Sequence, residues 1–173
     1  FEQVRSALPI DGQTVLLIED TSEIDYTFRA PIEGLSRVGP GNADHQGFLL
    51  HSVIAALPQA HVAGKNRPPV RILGLAHQEY YLRPSHALSK QEKQTYRARA
   101  NRESELFERS TVALGQAPKR SRFVRLVDRG GDIYVVLRRY QEAGHEFVVR
   151  AKADRLLATQ TDDDAGRISG ALE

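Results

Sequence analysis

Two aliphatic runs in this chain each lead into a carboxylate. Val15-Leu16-Leu17-Ile18 runs on into Glu19 and Asp20, and Phe123-Val124-Arg125-Leu126-Val127 runs on into Asp128. A strand buried on both faces reads as a near-continuous aliphatic run. An acid just past its end stands at the rim of the sheet, where open α/β sheets bind ligands. Two such strands side by side, about 4.8 Å apart, hold two carboxylates close enough to share divalent metal. Magnesium takes oxygen donors, keeps several waters and needs only one or two carboxylates. A pair of such ions promotes in-line displacement at phosphorus by activating the attacking oxygen and stabilising the leaving one. Asp20 and Asp128 are therefore the candidate catalytic and metal-binding residues. The competing role for each is to cap the turn or helix that follows its strand.

Neighbouring residues extend this site. Thr21 is positioned to orient Asp20 through its hydroxyl, or else it starts a loop. Arg129 is positioned to face a phosphate, or to pair with Asp132. Arg150 and Lys152 stand on alternate positions after an apolar run and so share one face of an extended strand. As phosphate contacts they would add a salt-dependent term that reads no sequence. Alternation sends Glu19 to the face opposite Asp20, which removes it from the ligand set. His77 and Glu79 share a face but read as ordinary strand residues. The six histidines lack the i, i+4 spacing of a helical zinc site.

The elements that must hold these residues follow from turn signals and periodicity. After Asp11-Gly12, Val15 to Ile18 forms a first strand. Residues 21–45 read as a long loop with a short strand near Tyr26-Thr27-Phe28. Gly47 to Leu57 and Val70 to Leu82 are the second and third strands, closed by Pro58 and Pro84. Ser89 and Glu92 form a capping box for a helix over 90–114, ended by Gly115 and Pro118. A fourth strand covers 123–127. Asp132 caps a helix over 133–143 with Gly144 at its C′ position, and a fifth short strand covers 146–150. The order βββαβαβ predicts an α/β fold with a mixed five-stranded sheet: a three-strand antiparallel meander, then parallel strands joined by crossover helices. For the two aspartates to share a site, the first and fourth strands must be adjacent and parallel.

Composition sets the bounds. At 173 residues the chain is expected to be one domain, or one domain plus fragments. Cysteine is absent, which excludes disulfides and thiolate metal sites and makes a cytoplasmic setting the expectation. No apolar run is long enough to span a bilayer, so no membrane is expected. Methionine is also absent and the first residue is Phe1, the expectation for a piece of a longer protein. Net charge is +2, yet residues 90–155 hold 16 basic and 9 acidic side chains. That region suits a polyanion, although such runs are more often solvated helix faces. Asp162-Asp163-Asp164 lacks an EF-hand frame and reads as a solvated tail.

The local strings go further. Ile18-Glu19-Asp20-Thr21-Ser22, Gly47-Phe48-Leu49-Leu50-His51-Ser52-Val53, His77-Gln78-Glu79-Tyr80-Tyr81-Leu82-Arg83-Pro84, Val127-Asp128-Arg129-Gly130-Gly131-Asp132-Ile133 and Phe147-Val148-Val149-Arg150-Ala151-Lys152 occur in that sequence. Together they resemble the DDE transposases of bacterial insertion sequences, in the insertion-sequence-four group. The resemblance covers roughly residues 10–155. It implies an RNase H-like catalytic domain over 1–155, incomplete at its C-terminus. Residues 156–173 would be a tail, disordered or opening an inserted β-rich region. It also implies divalent-metal-dependent hydrolysis and strand transfer at transposon ends, with Mg²⁺ or Mn²⁺ in a two-metal site. DNA would be the partner, the full-length parent homodimeric on it, and the setting the bacterial cytoplasm, at the nucleoid when bound. Carried over by position, the first two acids of the family's triad are Asp20 and Asp128.

The family's third acid is a glutamate in a later Tyr-x2-Arg-x3-Glu-x6-Lys signature, expected beyond residue 173. Tyr96, Arg99 and Glu103 mimic its spacing, but Ser110 stands where the lysine should, and the segment lies between the two aspartates. It reads as coincidence on a surface helix. With two acids of three, the chain alone is expected to be catalytically impaired. Two rivals stand beside this expectation. One is a decayed or domesticated fragment that only binds DNA or a partner. The other is a phosphatase with Asp20 as nucleophile on a doubly wound sheet, for which Ser22 replaces the expected second acid.

Overall fold

The computed structural model describes residues 12–27, 30, 32–39, 45–60, 69–84, 91, 102–118 and 120–154, with backbone alone at 156–157 and 166–167. Its centre is a six-stranded mixed sheet. Strand β1 (Thr14–Asp25) pairs antiparallel with β3 (Gln46–Pro58), and β3 pairs antiparallel with β4 (Val70–Tyr81). The two-residue β2 (Ser36–Arg37) takes up the first two residues of β3. On its other side β1 lies parallel to β5 (Arg122–Val127), and β5 lies parallel to β6 (Glu146–Val149). The expected meander and the expected parallel neighbours of the first strand are both present. A doubly wound parallel sheet, which the phosphatase rival required, is not formed, because β3 runs antiparallel beside β1.

Two helices pack on one face of this sheet. Helix α1 (Glu105–Leu114) precedes β5 and buries Leu106, Phe107, Ser110, Thr111 and Leu114. Helix α2 (Tyr134–Glu142) links β5 to β6 and buries Val136 and Tyr140. Val15, Leu17, Val53, Ala55, Leu114 and Phe123 form one apolar cluster, and Phe107, Val127, Val136 and Tyr140 form a second. Alternation along β1 sends Val15, Leu17 and Glu19 toward the helices and Leu16, Ile18 and Asp20 to the other face. On that face Ile18, Ile54, Ile72 and Val148 are exposed, with no helix over them among the described residues.

Several boundaries depart from expectation. Strand β1 does not end near Ile18 but continues to Asp25, because its ladder with β3 runs on to the pair Asp25–Gly47. Of the short strand expected near Tyr26-Thr27-Phe28, Tyr26 and Thr27 leave β1 without strand structure, Thr27 in a turn, and Phe28 lies outside the described residues. Gly47 permits the close crossing there, since a Cβ would lie 2.0 Å from the Ile24 carbonyl oxygen. Asp132 does not cap α2; Ile133 holds that position without a side-chain bond, and Asp132 Oδ2 accepts the Lys152 backbone N–H at 2.6 Å. Strand β6 is four residues long, so alternation does not carry through to Lys152, which lies on a bend.

The C-terminus of α2 follows the sequence signal. Gly144 has φ of +71°, its N–H reaches the Gln141 carbonyl, and the His145 N–H reaches the Tyr140 carbonyl. Ser89, Glu92, Tyr96, Arg99 and Asp162–Asp164 lie outside the described residues. In the C-terminal segment, backbone at Leu156–Leu157 pairs antiparallel with Gly166–Arg167.

Candidate functional site

The parallel ladder between β1 and β5 fixes where the two aspartates stand. Its last register pair is Glu19 with Val127. Asp20 and Asp128 are the next residue on each strand, on neighbouring strands about 4.8 Å apart. Both are exposed. Beyond this point the two chains part. Strand β1 stays with β3, whereas the β5 chain turns away through a 3-10 turn at Arg129–Gly131. That turn is built by Asp128 itself, whose Oδ1 accepts the Gly130 N–H at 2.8 Å. Gly131 closes it, because a Cβ there would lie 2.1 Å from Val127 Cγ1.

Asp20 and Asp128 line two depressions that meet at the rim. One, of about 490 Å³, has an apolar floor of Leu49, Phe107 and Ile133. Its walls carry Glu23, Arg83, Arg102 and Glu103 beside the two aspartates. The other, of about 500 Å³, lies on the uncovered face between Ile18, Leu126 and Val148 and ends at the same aspartates and Arg150.

The remaining site residues fall into place around this rim. Thr21 does not orient Asp20. It lies on the opposite face of β1, where its Oγ1 is 2.8 Å from His51 Nδ1. Ser22 takes that role, since it shares the face of Asp20 and its hydroxyl donates to Asp20 Oδ2 at 3.1 Å. Arg129 is exposed, its backbone carbonyl accepts the Asp132 N–H at 3.3 Å, and it lines neither depression. Arg150 sits one residue past β6, its N–H held by the Val127 carbonyl at 3.1 Å, beside Asp128. Lys152 is exposed on the far side of the Asp132 contact and lines neither depression. His77 Nε2 is 3.3 Å from Glu79, and Glu79 pairs with Arg109, a strand-to-helix tie of the ordinary structural kind.

Directly behind Asp20 lies a buried polar network that the sequence did not reveal. Glu19 Oε2 accepts from Arg125 Nη1 at 3.0 Å and from the Tyr140 hydroxyl at 2.7 Å. Its Oε1 lies 2.9 Å from His51 Nε2 and also accepts from Ser110. One imidazole thus ties Glu19 and Thr21, the two residues flanking Asp20. Burial opposes the charge on Glu19. The His51 hydrogen bond, Arg125 and Ser110 outweigh it and hold the carboxyl below its ordinary range. Burial, with the Glu19 charge beside it, pushes the Tyr140 phenol far up. Burial and the charge of Arg125 hold His145 below its ordinary value. Its Nδ1 accepts from Arg125 Nε at 3.2 Å, so Nε2 carries the proton donated to the Gly115 carbonyl. The available signal was an arginine in the middle of one apolar strand and a glutamate at the end of another.

Glu103 is not on a surface helix. It lies in the turn before α1 and lines the depression floored by Leu49, Phe107 and Ile133 with Asp20 and Asp128, its two oxygens held by Arg83 at 3.1 and 3.2 Å. Among the described residues no group of three or more acidic or histidine side chains is arranged to hold a metal ion. No family model matches the chain.

Proposed function

We propose that this chain is part of the catalytic domain of a DDE transposase, with an RNase H-like sheet and a metal site that works on DNA phosphodiesters. One observation carries the reading. The first and fourth long strands of the order βββαβαβ other than β2 are parallel neighbours, and each places an aspartate just beyond their last shared register pair. The strand order, a meander with two parallel strands added beyond its first member, supports the same reading.

The donor set fits magnesium or manganese. Each aspartate has one oxygen oriented by a local donor, Ser22 or the Gly130 N–H, and a second oxygen left for a cation. Both carboxylates are exposed, so water can complete an octahedral shell. A bound divalent ion supplies Lewis acidity at phosphorus and a polarised nucleophile. The chain's own contribution is placement: β1 and β5 fix the separation of the carboxylates, Ser22 and Gly130 fix their rotation, and Arg150 and Arg129 offer positive charge to flanking phosphates. On this reading Asp20 and Asp128 are two of the family's three acids, so strand cleavage by these 173 residues alone is expected to be slow. Cleavage of transposon-end DNA at an ordinary rate would contradict that.

Fluorescence anisotropy of a labelled DNA duplex, with Mg²⁺ or with chelator, tests the reading. Binding is expected to strengthen with Mg²⁺, and Asp20→Asn or Asp128→Asn should abolish that strengthening. Binding indifferent to metal in all three proteins would favour the DNA-binding remnant instead.

A further inference from the structure

We infer that Arg83 is a DNA-phosphate-binding residue of this site, and that Glu23 and Glu103 occupy its guanidinium while DNA is absent. The inference rests on the nucleic-acid reading above and adds to it a specific anion-binding group. Arg83 follows β4 and lines the same depression as Asp20 and Asp128. Its Nε and Nη2 take the two oxygens of Glu103 at 3.1 and 3.2 Å, and its Nη1 takes Glu23 at 2.6 Å. That fork is the geometry with which arginine grips a phosphate, so Glu103 stands where two phosphate oxygens would.

The root of the side chain is fixed while its tip is exchangeable. Ser36, itself buried, accepts the Arg83 backbone N–H at 3.0 Å and donates to the Gly47 carbonyl at 3.2 Å. At the tip, the Glu103 and Glu23 side chains are 46% and 40% exposed. Ion pairs this wet contribute little, so a phosphate brought in by the aspartate-bound cations can displace them. Burial alone would lower the guanidinium's proton affinity, but Glu103 and Glu23 raise it, so Arg83 stays fully charged. Arg102 is the other cation on this wall, set against four carboxylates. Without divalent ions the depression is acidic and repels a polyanion, which makes Arg83 a partner of phosphate only when metal is present.

The two sides of the ion pair therefore act in opposite directions on DNA. The test is anisotropy of a labelled duplex in Mg²⁺ across a salt series, with wild type, Arg83→Ala, Arg83→Lys and Glu103→Gln, each checked by thermal melting. Arg83→Ala is expected to weaken binding about tenfold and to reduce the salt slope by about one. Arg83→Lys is expected to fall between it and wild type. Glu103→Gln is expected to tighten binding about threefold by removing the competing carboxylate. If Arg83→Ala does not fold, unchanged or weaker binding by Glu103→Gln overturns the inference. Equal affinities for all four proteins, with lowered melting temperatures, would make the pair a structural clamp and overturn it while leaving the metal-site reading intact. Wild type that binds no DNA would remove both.

Discussion

Asp20 and Glu19 are adjacent acids with opposite fates, and the period of a strand decides which is which. Asp20 faces outward with one hydroxyl donor, whereas Glu19 is buried in a cage of His51, Ser110, Arg125 and Tyr140. Alternation alone separated the two in the sequence, and the strand places them on opposite faces as expected. The cage was not legible, because its members lie 32 to 121 residues from Glu19 along the chain. Nor was the exchange of Thr21 for Ser22 as the residue that orients Asp20, because it depended on β1 continuing past Asp20. The buried pair gives a direct energetic prediction. Arg125→Met leaves Glu19 without its counter-charge and is expected to cost about 3–5 kcal/mol in urea unfolding. Glu19→Leu alone should cost a similar amount. The double variant should lose clearly less than the sum of the two, since it strands no charge. Additive losses would show that the charges do not act on each other.

At the scale of elements, the site depends on one strand that continues and one that stops. Strand β1 persists to Asp25 because β3 keeps pairing with it, while β5 ends at Val127 because Asp128 and Gly131 fold the chain into a tight turn. The end of the fourth strand at Val127 was legible, because the apolar run stops there at Asp128. The continuation was not, because residues 21–25 lack the aliphatic pattern that marked the first half of β1. Asp132 looked like a helix cap, yet its carboxylate is drawn to the Lys152 N–H, a partner that only the return of the chain past β6 supplies. Gly131→Ala tests the turn. The added methyl meets the Val127 side chain, so overpacking is expected to cost about 1–3 kcal/mol. It should also weaken Mn²⁺ binding by displacing Asp128. Unchanged metal affinity in a folded Gly131→Ala protein would mean that the turn does not position the carboxylate.

Across the whole molecule, the meander, the parallel addition and the second helix were legible from periodicity and turn residues, whereas the single helix expected over 90–114 is interrupted by the turn at 102–104 and helical only over Glu105–Leu114 and at Gln91 among its described residues. Both helices pack on one face, and the aspartates stand at the rim where that covered face meets the bare one. The buried network makes the fold acid-sensitive in two stages. His145 is held below its ordinary value of 6.5, so the unfolded chain takes up the proton first, and stability declines as pH falls below about 6.5. Glu19 is held below 4.5, so its contribution is complete above that value and is lost at lower pH. Both changes have the same sign. His145→Gln can keep the donor to Gly115 and the acceptor for Arg125, and urea midpoints from pH 7.5 to 5 should then fall less steeply than in wild type; an identical slope would exclude His145 as the source. The account turns most directly on the two aspartates as a cation platform, and isothermal titration with Mn²⁺ measures that. Wild type is expected to bind, and Asp20→Asn and Asp128→Asn each to lose at least tenfold in affinity while melting at or near the wild-type temperature. Binding left unchanged by both substitutions, or absent from the folded wild-type protein, would contradict the account.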